Sequence, residues 1–113
     1  MKKSNETALV KAVVEYLNAS GRFLAWRNNT GAFAGEYKGK RRFVRFGIPG
    51  ASDVFAVERR NGRFWAIECK MPGEKPSAKQ EEFSRTIAGA NGGAIWVTSL
   101  DEMIEFFSRI AAL

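Results

Sequence analysis

The chain has 113 residues, 45% hydrophobic and 27% charged, which suits one folded domain over 1–113 that buries roughly two-thirds of its unfolded surface. It has no histidine and one cysteine, Cys69, which excludes histidine-dependent nucleophilic catalysis, zinc held by histidine or several cysteines, and internal disulfides, and suits a reducing cytoplasmic setting. No apolar run approaches the ~18 residues of a membrane span, and the net charge of +6 points to a polyanion, because Lys and Arg release counterions condensed on phosphates.

Met1-Lys2-Lys3-Ser4 leads into an amphipathic pattern, not a signal-peptide core. Ser4 can cap a first helix over 4–18, with Leu9, Val10, Val13 and Leu17 on one stripe, and Gly21 ends it. Residues 23–27 read as a strand, followed by a polar turn over 28–31. Residues 32–39 are glycine-rich and read as a flexible loop, and 40–46 as a basic, aromatic strand or extended arm. Gly47-Ile48-Pro49-Gly50 is a tight turn that delivers Asp53 to a β-hairpin. After a loop over 71–76, Ser77 opens a second helix to about residue 88, ended by Gly89 and Gly92-Gly93. Residues 94–98 form a short buried strand. Ser99-Leu100-Asp101-Glu102 reads as a capping box for a last helix with Leu100, Met103, Ile104, Phe107 and Ile110 on its inner stripe. The order, α-β-(β)-β-β-α-β-α without internal repeats, is that of an α/β fold with a mixed sheet flanked by helices.

The hairpin carries the chemistry. Asn61-Gly62 predicts a two-residue type I′ turn, because both central residues need positive φ. Closure there pairs Arg60 with Arg63, Phe55 with Glu68 and Asp53 with Lys70. Strand alternation then puts Asp53, Glu68 and Lys70 on one face. Two carboxylates suit a hard divalent cation, and an adjacent ammonium can orient water or neutralise phosphate charge, so the trio reads as a metal-dependent phosphodiesterase site. The alternative is an ion pair on the rim of a solvated strand. Against it, the charges end two apolar runs, 54–57 and 64–67, at the same edge. Just upstream, Lys38, Lys40, Arg41, Arg42 and Arg45 alternate with Tyr37, Phe43 and Phe46. Such a segment can grip DNA, with cations on phosphates and aromatics on exposed bases. No Walker A sequence is present, and Gly47-Ile48-Pro49-Gly50 leads into a strand, unlike the GXXG loop of KH domains.

Gly47-Ile48-Pro49-Gly50-Ala51-Ser52-Asp53, then Glu68-Cys69-Lys70, then Gln80 on the next helix, resembles the PD-(D/E)XK nuclease superfamily. Within it the chain is similar to the virus-type replication-repair nuclease (VRR-NUC) domain of stand-alone viral or phage type, over nearly its whole length. Ser52 departs from the pattern, standing where the superfamily's name places proline. The resemblance implies a restriction-endonuclease-like core (α-β-β-β-α-β-α) that cleaves DNA with Mg²⁺ or Mn²⁺. Asp53 and Glu68 would be ligands, with the Cys69 main-chain carbonyl as a further oxygen. Lys70 would position the attacking water, and Gln80 would face the site. Glu6 would act through a metal-bound water or a second ion. Two of these residues have simpler readings: Gln80 as the capping-box partner of Ser77, and Glu6 as a carboxylate favoured near a helix N-terminus.

The resemblance further implies a homodimer acting on branched DNA, in the manner of a Holliday junction resolvase, in the cytoplasm of a viral or prokaryotic host cell. Phe23, Trp26, Phe33, Phe43, Phe46, Met103, Phe106, Phe107 and Leu113 exceed what one small core readily covers, which favours such an interface. A non-catalytic nucleic-acid-binding module on the same fold and an RNA-directed nuclease are the alternatives.

Overall fold

A computed structural model describes residues 2–29 and 31–110. Helix α1 (Lys2–Ala19) buries Val10, Val13 and Leu17, whose spacing puts them on one face. It begins before Ser4, which is therefore helical and not the cap. Past its end Gly21 takes φ 74°, and strand β1 (Phe23–Arg27) follows. Asn18 ties the two together: its side chain donates to the Ala25 carbonyl and accepts from the Ala25 N–H, both at 2.9 Å.

Strands β4 (Val54–Glu58) and β5 (Phe64–Cys69) form the central hairpin, and β6 (Gly93–Val97) lies beyond β5. The sheet order is β1-β4-β5-β6, antiparallel except for the parallel β5–β6 pair. A parallel pair needs a crossover, which helix α2 (Ala78–Gly89) supplies. Helix α3 (Leu100–Ile110) closes the described chain. The fold is the expected α/β class, a mixed sheet flanked by helices. No helix among the described residues is long and apolar enough to cross a membrane.

Alternation divides the sheet's side chains between two layers. Val54, Ala56, Trp65, Ile67 and Cys69 face α1 and α3 and form the core with Phe23, Met103 and Phe107. Phe55 and Phe64 face the other way, where Phe55 stacks on Phe83 of α2. Phe23, Met103 and Phe107 are thus core residues, not a surplus for an interface. Of the apolar residues expected to be in excess, Trp26 is the one left exposed among those whose side chains are described. The side chains of Phe33, Phe43 and Phe46, and all of Leu113, lie outside that set.

Two sequence expectations change. Residues 32–39 are not a loop: strand β2 (Gly31–Tyr37) pairs antiparallel with β3 (Lys40–Phe46) in a separate hairpin. The described residues therefore form six strands, two of them outside the main sheet. Among the described residues this hairpin touches no other helix or strand. The molecule measures 57 × 32 × 27 Å, and its radius of gyration of 15.6 Å exceeds the ~13 Å of a compact chain this long.

The second change concerns turns. The two-residue type I′ loop is Lys38-Gly39, with φ 53° and 74°, and not Asn61-Gly62. The β4–β5 connection is a five-residue stretch, 59–63, in which Glu58 N–H bonds the Arg63 carbonyl at 2.8 Å and Gly62 N–H the Glu58 carbonyl at 2.7 Å. Asn61 accepts the Arg63 N–H on its side chain at 2.9 Å, so its role is local capture. The register accordingly pairs Val54 with Ile67, which sets Asp53 opposite Glu68 and not Lys70. A shift of two residues keeps every side chain on its face, so the expected convergence survives the changed pairing.

Candidate active site

Asp53 immediately precedes β4, and Glu68 lies near the end of β5. The Asp53 carboxylate accepts the Cys69 N–H at 2.9 Å, and its main-chain carbonyl accepts the Asn28 N–H at 2.8 Å. The Asn28 side chain also donates to the Ser52 carbonyl at 3.1 Å. Asn28 therefore clamps the segment that presents Asp53, a role its place in a polar turn did not reveal.

Glu68 is only 4% exposed. Burial raises its carboxyl pKa to about 9, helped by a hydrogen bond to Asp53 and by that group's charge, and opposed by Lys70. The two carboxyl groups thus stand opposite one another across the hairpin. Lys70 follows β5 and is anchored by its N–H to the Val97 carbonyl at 2.9 Å. Glu6 of α1 faces the same place: burial and then Asp53 raise its pKa, Lys70 lowers it, and Glu74 raises it further. Glu74 is an acidic neighbour that no sequence motif marked. Its side chain closes the loop after β5 by accepting the Met71 N–H at 2.9 Å.

Gln80 serves both of its expected roles at once. Its amide oxygen accepts the Ser77 N–H at 2.8 Å while its own N–H bonds Ser77 Oγ at 3.2 Å, which completes the capping box. Its amide NH₂ donates to Glu68 Oε1 at 3.2 Å. The Cys69 thiol is fully buried, and burial followed by the nearby carboxylates pushes its pKa up, so it fills core space. Ser52 is also buried, and its hydroxyl has no hydrogen-bond partner among the described residues.

Among the described residues no three acidic or sulfur side chains by themselves enclose a cation site. A cation held by Asp53 and Glu68 would complete its shell with main-chain oxygen and water, as Mg²⁺ commonly does. The donor chemistry, two carboxylates facing each other with a main-chain oxygen beside them, fits a hard cation. Of the proposed DNA-binding residues, Lys38, Lys40 and Arg41 are exposed at the tip of the β2–β3 hairpin. Arg42 and Arg45 belong to the same strand, and their side chains lie outside the described set. Compared with known proteins, the sequence matches no family model and no curated protein.

Proposed function

We propose that the chain is a metal-dependent nuclease that hydrolyses DNA phosphodiester bonds, acting as a homodimer on branched or otherwise structured DNA. The reading rests on the apposition of Asp53 with a nearly buried Glu68 at one edge of the sheet. A buried carboxylate facing a second carboxylate is costly unless a proton or cation joins them, and packing alone gives no reason to keep the pair. Asp53 and Glu68, with the Cys69 main-chain carbonyl, would hold Mg²⁺ or Mn²⁺, which supplies an activated water and a polarised phosphate when bound. Gln80 fixes the Glu68 carboxylate, and Asn28 fixes the backbone of Asp53. Lys70 orients the attacking water and neutralises charge developing on the phosphate. Glu6, within electrostatic reach of Asp53 and Lys70 from α1, would act through a metal-bound water or a second ion. Lys38, Lys40, Arg41, Arg42 and Arg45 take backbone phosphates and set the register of the duplex.

Incubation with labelled linear, flapped and four-way DNA, in Mg²⁺, Mn²⁺ or EDTA, tests this directly. Cleavage is expected with either metal and none with EDTA. Cutting that persists in EDTA, or in Asp53→Ala, overturns the assignment. Binding without cutting under every metal leaves a non-catalytic module, and faster cutting of matched RNA makes RNA the substrate.

A further inference from the structure

Two apolar side chains stand open to solvent on segments that lead to the acidic pair. Trp26 is 41% exposed. Its ladder partner is Phe55, two residues along β4 from Asp53, so Trp26 shares the sheet face of Asp53 and Glu68. The indole meets Phe55 edge-on at 6.2 Å, and Phe55 in turn stacks on Phe83 at 6.0 Å, so one side of the indole is fixed and the rest is open. Leu24, also exposed, extends the strip along the same face.

Ile48 is 61% exposed on the turn that leads to Asp53. Ala51 N–H bonds the Ile48 carbonyl at 3.0 Å, with Pro49 and Gly50 in the central positions and Gly50 at φ 80°. That is the signature of a type II turn. Gly50 is pressed against the start of α2, where an added Cβ would lie 2.5 Å from the Lys79 carbonyl oxygen. The turn is therefore braced by the helix that carries Gln80.

Single exposed apolar residues are ordinary. These two differ in lying on the strand and the turn that lead to the carboxylates, near two cations: exposed Lys79 braces the turn from α2, and Lys70 shares the sheet face of Glu68. Apolar surface framed by positive charge suits nucleobases on an anionic backbone, which stack on aromatic side chains whatever their sequence. Aliphatic side chains beside them act as wedges between bases. In a continuous duplex the base faces are already stacked on one another. We propose that Trp26 and Ile48 hold unstacked bases next to the scissile phosphate. The substrate is then nucleic acid with unpaired nucleotides at the cut, such as a fork, a bulge or a single strand. This deepens the nuclease reading and rests on it.

Binding in EDTA separates recognition from chemistry. The chain has three tryptophans, so a Trp96→Phe background leaves Trp26 and the buried Trp65 as the emitters. Single-stranded, forked and perfectly paired DNA of equal length are titrated against it. Unpaired DNA is expected to quench the emission and to bind about ten-fold tighter than the perfect duplex. Trp26→Ala should lose about ten-fold in affinity for unpaired DNA and little for duplex, Trp26→Phe should recover part of the loss, and Ile48→Ala should weaken the forked ligand most. Equal affinity for all three ligands, unchanged in Trp26→Ala, overturns the proposal. So does a dimer seen by light scattering that Trp26→Ala dissociates, because a second copy then covers the strip. Loss of cleavage on every substrate with the binding preference intact removes the nuclease reading and leaves base recognition standing. Metal-dependent cleavage of perfect duplex at the same rate in wild type and Trp26→Ala does the reverse.

Discussion

Glu68 is the residue whose environment decides most. Its folded-state pKa of about 9 lies above the ordinary 4.5, so the folded chain binds this proton more tightly than the unfolded chain does. That contribution to stability is complete below about pH 4.5 and is lost as the pH rises toward 9. Cation-free protein is expected to melt at progressively lower temperature between pH 5 and 9, and Glu68→Gln should flatten the trend and melt higher at pH 8. Mg²⁺ or Mn²⁺ at pH 8 should raise the melting temperature of the wild type by several degrees and leave Glu68→Gln unmoved, as binding linkage requires. Thermal melts with and without EDTA check both. Glu58 behaves oppositely. Burial would raise its pKa, but hydrogen bonds from Trp65 and Arg22 hold it below the usual range, so its contribution is present above about pH 4.5 and fades in acid. Arg22 donates to Glu58 at 3.1 Å and to the Phe107 carbonyl at 2.9 Å. Arg22→Ala should cost about 2 kcal/mol in a urea melt at neutral pH, the usual worth of hydrogen bonds to a charged group. At this scale strand alternation grouped Asp53, Glu68 and Lys70, the family resemblance added Glu6 and Gln80, and the fold brings the five near one another. The sequence left Gln80 divided between cap and site because both uses depend on how close the start of α2 comes to the end of β5, a distance no local pattern encodes.

Among elements, the two hairpins explain what the sequence hid. Asn-Gly is the strongest local sign of a type I′ turn, yet that turn forms at Lys38-Gly39, where lysine carries no turn preference to read. At Asn61 the side chain captures Arg63 N–H and the loop lengthens. The site was nevertheless legible, because a strand's period of two makes face assignment immune to an even register error. Glycine-rich β2 read as loop because its low strand propensity is offset only by pairing with β3, a partner beyond the turn. Under the proposed function, the exposed tip of that hairpin would set the salt dependence of DNA binding. The triple variant Lys38→Ala, Lys40→Ala, Arg41→Ala should bind all sequences more weakly and flatten the salt slope by about one unit per lost phosphate contact. Unchanged affinity and slope across a salt series would place the DNA elsewhere. On the sheet's far edge, Gly93 packs under Trp65, where an added Cβ would sit 2.2 Å from the ring. Gly93→Ala should destabilise by about 1–3 kcal/mol through overpacking, seen as a lower urea midpoint.

At the level of the whole molecule, assembly would decide what the proposed nuclease, with this acidic pair in each chain, can cut. With Phe23, Met103 and Phe107 in the core, the apolar argument for a dimer narrows, and symmetry carries it: two matched cuts in a four-way junction call for two sites related by a two-fold axis. Light scattering at low micromolar concentration should give about twice the chain mass of 12.6 kDa; a monomer with and without DNA leaves a nickase. The β4–β5 loop has a further consequence, for the order in which the chain folds. Five residues join those strands, so Asp53 and Glu68 meet as soon as that hairpin closes. Gln80 and the Lys70–Val97 bond wait for the parallel crossover through α2, whose contacts are more distant along the chain and slower to form. For that interval the two acids face each other without the glutamine. In stopped-flow refolding with chelator the rate should fall as the pH climbs from 6 to 9, and a divalent cation should restore it, so the ion the site would hold in the finished fold would also hasten the making of it.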